Sequence, residues 1–138
     1  ALDGITSTVD ELNILDGVTA NSTELNKLDG FTEEVGYRVI PAVGTKTSSY
    51  TLTTTDVGKY VQVGSGGSIT IPDATFSEGD VIVIFNNTTG NITITCSITT
   101  AYEAGTDADV ASTNLATRGL ANILFISGTV CVISGNLA

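Results

Sequence analysis

From residue 48 onward apolar and polar positions alternate in short runs, the period-2 pattern of half-buried β-strands. Residues 49–52, 59–63 and 68–71 are the first three runs, separated by Thr55-Asp56-Val57-Gly58 and Gly64-Ser65-Gly66-Gly67, and Pro72-Asp73 ends the third. Val81-Ile82-Val83-Ile84-Phe85 is apolar throughout, which predicts a strand buried on both faces. In residues 92–96, Ile92, Ile94 and Cys96 alternate with Thr93 and Thr95, and the turn-rich segment 86–91 predicts a hairpin joining the two runs. A second hairpin is expected from residues 122–126 and 129–133, meeting at Ser127-Gly128. Residues 102–116 are rich in small residues and read as a long loop with one helical turn. Seven short strands favour a β-sandwich or jelly-roll-like domain over residues 48–138. A β-helix would need a recurring rung length, and this part of the sequence has none.

Ahead of the strands the spacing changes. Leu2-Asp3-Gly4-Ile5-Thr6, Leu15-Asp16-Gly17-Val18-Thr19 and Leu28-Asp29-Gly30-Phe31-Thr32 recur every thirteen residues, and Glu11-Leu12-Asn13 aligns with Glu24-Leu25-Asn26. Thr8 with Glu11, and Asn21 with Glu24, have capping-box spacing, while Gly17 and Gly30 sit where a left-handed helix stop is expected. Each unit therefore predicts about two turns of helix. Helices shorter than roughly 12 residues are marginal alone in water, so the narrow stripe of Val9, Leu12, Leu15, Leu25 and Leu28 must be covered by neighbouring units or other chains. The alternative is a flexible acidic linker. Residues 1–36 thus form a repeat segment, and 37–47 a connector interrupted by Pro41 and Gly44, with room for a short strand at 37–40.

The charge is unevenly placed. The chain has 138 residues, 41% of them hydrophobic, a mean hydropathy of +0.29, and yet a formal charge of -10 with only five cationic side chains. Residues 1–36 carry eight carboxylates against Lys27 alone, and the remainder is dominated by Val, Ile, Thr, Ser, Gly and Asn. That composition suits β-structure with tight turns, and its low charge suits surfaces buried between subunits. An obligate oligomer is expected. The acidic balance opposes nucleic-acid binding and repels an anionic bilayer. No apolar run approaches the roughly 18 to 20 residues of a membrane span, and no charged-then-apolar leader opens the sequence. The expectation is a soluble chain without membrane insertion and, lacking a starting Met, a fragment.

The chemistry left to the chain is narrow. With no His, neither a Ser-His-Asp triad nor a His-ligated metal site can be built. No catalytic residue, metal or cofactor is assigned. Glu103, Asp107 and Asp109 are the one local carboxylate cluster, and beside Tyr102 they have the ingredients of a sugar site: a flat apolar face with hydrogen-bond acceptors. Their alternative role is to solvate a loop while Tyr102 packs on the sheet. Cys96 and Cys131 fall in predicted strands and read as core thiols, with a disulfide open to them if those strands are neighbours. Asn86-Asn87-Thr88, Asn87-Thr88-Thr89 and Asn91-Ile92-Thr93 match the glycosylation pattern, as chance does in an Asn- and Thr-rich turn.

The Glu-Leu-Asn-x-Leu-Asp-Gly-Val-Thr unit resembles repeats in the tail fibres and related appendages of tailed bacteriophages, notably those of marine cyanobacteria. The segment Tyr50-Thr51-Leu52-Thr53-Thr54-Thr55-Asp56-Val57-Gly58-Lys59 is similar to the opening of small C-terminal fibre domains. Arg118-Gly119, Ala121-Asn122-Ile123-Leu124 and the ending Ser134-Gly135-Asn136-Leu137-Ala138 resemble their close. Thr129-Val130-Cys131-Val132 departs from the pattern, since similar chains tend to carry a Trp there. The resemblance implies a homotrimeric fibre in the virion, assembled in the host cytoplasm and joined to other virion proteins upstream. Its shaft is the repeat segment, and its β-tip contacts a host cell-surface glycan or protein. The alternative it leaves open is a tip that trimerises and caps the fibre without touching a receptor. Neither version is an enzyme.

Overall fold

The computed structural model describes residues 3–26 and 39–138, which divide between two units, Ala1–Arg38 and Val39–Ala138. In the first, α1 (Val9–Ile14) and α2 (Ser22–Asn26) are the two helices of the repeat. Both predicted caps form. Glu11 N–H donates to the Thr8 hydroxyl (3.3 Å) and Thr8 N–H to Glu11 Oε2 (2.7 Å); Glu24 N–H donates to Asn21 Oδ1 (3.0 Å) and Asn21 N–H to Glu24 Oε2 (2.8 Å). Thr8 bonds through both backbone and side chain and holds the Glu11 carboxyl below the ordinary carboxylate range. Gly17 takes φ +84°, the left-handed stop the spacing predicts. α1 is shorter than two turns because it ends at the Leu15 cap just ahead of the Gly17 stop. The third copy, with Leu28 and Gly30, lies outside the described residues, as do Tyr37 and Arg38 of the strand expected at 37–40; Val39 and Ile40 are not in a strand.

The β-unit is mainly β and consists of two mixed sheets. Its strands are β1 (Ala42–Lys46), β2 (Ser49–Thr51), β3 (Tyr60–Val63), β4 (Ser68–Ile71), β5 (Val81–Asn86), β6 (Ile92–Cys96), β7 (Thr100–Glu103), β8 (Ser112–Leu115), β9 (Leu120–Ser127) and β10 (Val130–Gly135). One sheet has the order β1-β3-β5-β9-β10-β7 and the other β2-β4-β6-β8. From β1 to β6 the chain therefore changes sheet at every strand, and each strand lies parallel to the one two before it. This is a winding coil of parallel pairs, whereas a jelly roll is built from antiparallel Greek keys. The predicted hairpin across residues 86–91 does not form, since β5 and β6 belong to different sheets. The β9–β10 hairpin does form, and β9 closes antiparallel onto β5 while β7 pairs parallel with β10.

The coil escapes detection in the sequence for a simple reason. Successive partners are Ala42, Tyr60 and Val83 in one sheet and Tyr50, Ile69 and Ile94 in the other, so no two turns have the same length. Two other expectations change. The connector at 37–47 contains β1, and the loop at 102–116 contains the end of β7 and all of β8, with no helical turn.

The core lies between the sheets. Ile69, Ile71 and Ile94 face Val61, Ile82, Ile84 and Ile123 from the opposite layer, all fully buried, and Phe125 stacks on Phe76 with ring centroids 4.0 Å apart. Three polar side chains, Asp56, Asn86 and Thr113, are buried with them. Asp56 accepts from Tyr50 Oη (3.0 and 3.1 Å) and from Thr53 N–H (2.8 Å), pinning a single 3-10 turn, Thr54–Asp56, over the edge of the smaller sheet. Asn86 donates through Nδ2 to the carbonyls of Gly90 (2.8 Å), Leu115 (3.1 Å) and Ala116 (2.8 Å) and accepts from Thr88 N–H (3.0 Å) and its hydroxyl (2.8 Å). The first glycosylation match thus rests on an Asn whose side chain is wholly engaged inside the protein.

Cys96 and Cys131 are free and buried. Burial is the main cause that pushes their thiols up to about 11 and about 12. Above pH ~9 the unfolded chain releases both protons while the folded chain keeps them. The unfolded state then binds fewer protons, so stability falls as pH rises from roughly 9 towards 11–12. Ellman's reagent at pH 8 is expected to find no reactive thiol in the folded protein and both after unfolding in urea. Prompt labelling of either in the folded state would show that burial is not protecting it.

Candidate functional site

The residues singled out as a sugar site do not converge. Tyr102 is registered with Val132 on the outward side of the six-stranded sheet, whereas Glu103 is registered with Ile133, whose side chain is in the core. Consecutive residues of a strand point to opposite faces. Glu103 accepts a hydrogen bond from the hydroxyl of Thr113 in the other sheet, and Asp109 Oδ1 accepts from Ala101 N–H at 2.9 Å. The pairing of Tyr102 with Asp109 closes the loop back on β7. Two of the three carboxylates thus hold the loop in place, while Asp107 and Asp109 are both exposed. Among the described residues no group of three or more His, Cys, Asp or Glu could hold a metal ion, and no helix is long and apolar enough to cross a membrane.

The stripe assigned to assembly is open in the single chain. Val9 is 73% exposed, Leu12 42%, Leu15 54% and Leu25 41%, and neither helix buries a residue. The hydrogen bonds of the caps therefore fix the helices locally, while among the described residues their apolar side chains stay exposed.

A second open surface went unread in the sequence, because it exists only once the strands are paired. On the smaller sheet the outward positions are Ser49 and Thr51, Ser68 and Thr70, Thr93 and Thr95, then Ser112 and Asn114, every one a hydroxyl or amide. That is a solvated face. On the larger sheet the three central strands present Val81, Val83 and Phe85 from β5, Leu120, Leu124 and Ile126 from β9, and Val130 and Val132 from β10. Asn122 and Ser134 are the polar exceptions, and Tyr60 and Tyr102 flank the strip on β3 and β7. No Asp, Glu, Lys or Arg stands at any outward position of the six strands. Val81, Leu120, Leu124 and Ile126 are between 37% and 52% exposed.

No family model, curated protein or solved structure matches the chain. Function has to be argued from these surfaces and from the repeat.

Proposed function

We propose that this chain is a structural component of a phage tail fibre or related virion appendage, a homotrimer whose β-tip mediates host cell-surface recognition and adsorption. The observation that carries the reading is the exposed apolar stripe of the capped thirteen-residue repeat, Val9, Leu12, Leu15 and Leu25 among the described residues. Three parallel copies around an axis bury Val9, Leu12, Leu15, Leu25 and Leu28 against one another and leave the acidic residues in water. Adsorption then needs no tight individual contact, because linked tips raise the effective concentration of each later contact.

A second reading has its own support. Glu103 and Asp109 are engaged by Thr113 and Ala101, and Tyr102 lies on the other side of the sheet from Glu103. That favours a tip that sets register and caps the fibre while another protein meets the receptor.

Light scattering of the full chain over a range of concentrations is expected to give three times 14.1 kDa, and labelled chain is expected to bind susceptible marine cyanobacterial cells saturably. A monomer at every concentration overturns the fibre reading. A trimer that binds no cell across a strain panel, yet restores assembly to a fibre lacking this segment, supports the capping reading instead.

A further inference from the structure

We infer that the outward face of the six-stranded sheet is the surface through which copies of this chain meet, so that the β-unit is itself an assembly element. The inference rests on the trimeric reading above and adds to it a specific face.

Three observations select this face and this occupant. The first is strand composition. A run apolar throughout, such as Val81 to Phe85, belongs to a strand covered on both sides, and the chain covers only one: Ile82 and Ile84 are fully buried while Val81, Val83 and Phe85 look outward. The smaller sheet of the same protein shows the contrasting pattern, where Ile92 and Ile94 alternate with Thr93 and Thr95 and the outward side is wholly polar. Both sheets are built from similar strands, so the difference lies in what is meant to lie against them.

The second is charge. A surface that meets its own copy repels itself if it carries net charge, and burying such charge is expensive. In a chain of formal charge -10 this broad face has no ionisable acid or base at any outward strand position apart from the tyrosine hydroxyls of Tyr60 and Tyr102. A partner chosen by charge would find nothing here to recognise, whereas a second copy meets no repulsion.

The third is shape. Sheets pack about 10 Å apart and strands lie about 4.8 Å apart, so three sheets set around a threefold axis with their strands along it fill the space between them when each presents roughly three to four strands. The aliphatic and aromatic strip spans β5, β9 and β10, with one tyrosine-bearing strand on each side. Tyr60 and Tyr102 then fall at the rim, where a ring can be covered while its hydroxyl stays wet.

The test uses the full chain and sedimentation over a range of concentrations. Leu124→Lys, and separately Leu124→Thr, which suits an exposed strand, are expected to shift trimer dissociation to at least tenfold higher concentration. Thr95→Lys on the polar face is expected to leave it unchanged. Circular dichroism and thermal melting check that each variant keeps its β-structure. If folded Leu124→Lys and Leu124→Thr both assemble like the parent chain, the inference is overturned. If in addition Leu12→Asp abolishes the trimer, assembly belongs to the repeats alone and the fibre reading survives without this face. A parent chain that is monomeric throughout overturns both.

Discussion

Alanine in place of Gly135 is expected to unfold the β-unit or to cost it at least ~4 kcal/mol, the range reserved for strained backbone and hard overlap. Gly135 ends β10 at φ +135°, a conformation that side chains rarely adopt, and an added Cβ would overlap the carbonyl oxygen of Leu120 and stand 2.8 Å from Cα of Ala121. Both contacts are backbone atoms of β9, registered with β10 by the Ala121–Gly135 pair, so the strain cannot be relieved by turning a side chain. Because β9 also pairs with β5, displacing it opens the ladder that joins the winding strands to the closing hairpin. Gly90→Ala is the control: its added Cβ meets nothing within 4 Å and its φ is not positive. Urea unfolding followed by far-ultraviolet circular dichroism should show a lost or sharply lowered midpoint for Gly135→Ala, with Gly90→Ala within about 0.5 kcal/mol of the parent. Equal midpoints for the two would mean that the β9–β10 register yields more easily than the packing indicates.

Removing the amide of Asn86 is expected to be nearly as damaging. Asn86→Ala strips a donor from the carbonyls of Gly90, Leu115 and Ala116 and an acceptor from Thr88, all at a fully buried site. Leaving such groups without partners costs about 1–3 kcal/mol each when they cannot reach water, so a total of about 3 kcal/mol is expected. Asn86→Asp separates donor from acceptor. It keeps the acceptor for Thr88 but turns a carboxylate towards carbonyl oxygens, which disfavours the charged form and raises its folded-state pKa above the unfolded ~3.9. The folded state then holds a proton that the unfolded state has lost, and stability falls as pH rises through that window. At neutral pH Asn86→Asp should be the weaker of the two variants and should recover on acidification relative to the parent. A pH-independent difference from the parent would contradict this account.

Seven of the ten strands were legible in the sequence, but of their pairings only the β9–β10 hairpin was. Residues 68–71 and 92–96 coincide with β4 and β6, and the reciprocal bonds at Thr8–Glu11 and Asn21–Glu24 follow from spacing alone. These are local effects, readable from neighbours in the chain. Pairing is not local. Segment 86–91 has every mark of a hairpin turn, yet its key residue, Asn86, bonds residues some thirty positions away and carries the chain across to the other sheet. The segment 102–116 looked like a loop because Gly105, Asp107 and Asp109 crowd it, and the short strands on either side have too few apolar residues to show a period.

The candidate surfaces divide in the same way. The stripe of Val9, Leu12, Leu15 and Leu25 is visible as a helical period and is exposed in the single chain, with Leu28 outside the described residues. Grouping Tyr102 with Glu103, Asp107 and Asp109 relied on nearness in sequence, which in a strand puts adjacent side chains on opposite sides. The outward face of the six-stranded sheet had one clue, the unbroken apolar run at Val81 to Phe85, which predicts cover on both faces, whereas within the single chain only the face of Ile82 and Ile84 is covered.

Unequal turns give the coil a freedom that regular repeats lack. Its ladders depend on which residues stack, not on how much chain separates them, and doubling a flexible connection costs only about 0.6 kcal/mol in closure entropy. Exposed corner residues outside the Asn86 and Asp109 contacts, such as Thr89, Asp107 and Ala108, can therefore change or take insertions while Ile69 still stacks on Ile94 and Val61 on Ile84. Such corners are convenient places at which to graft a foreign binding loop.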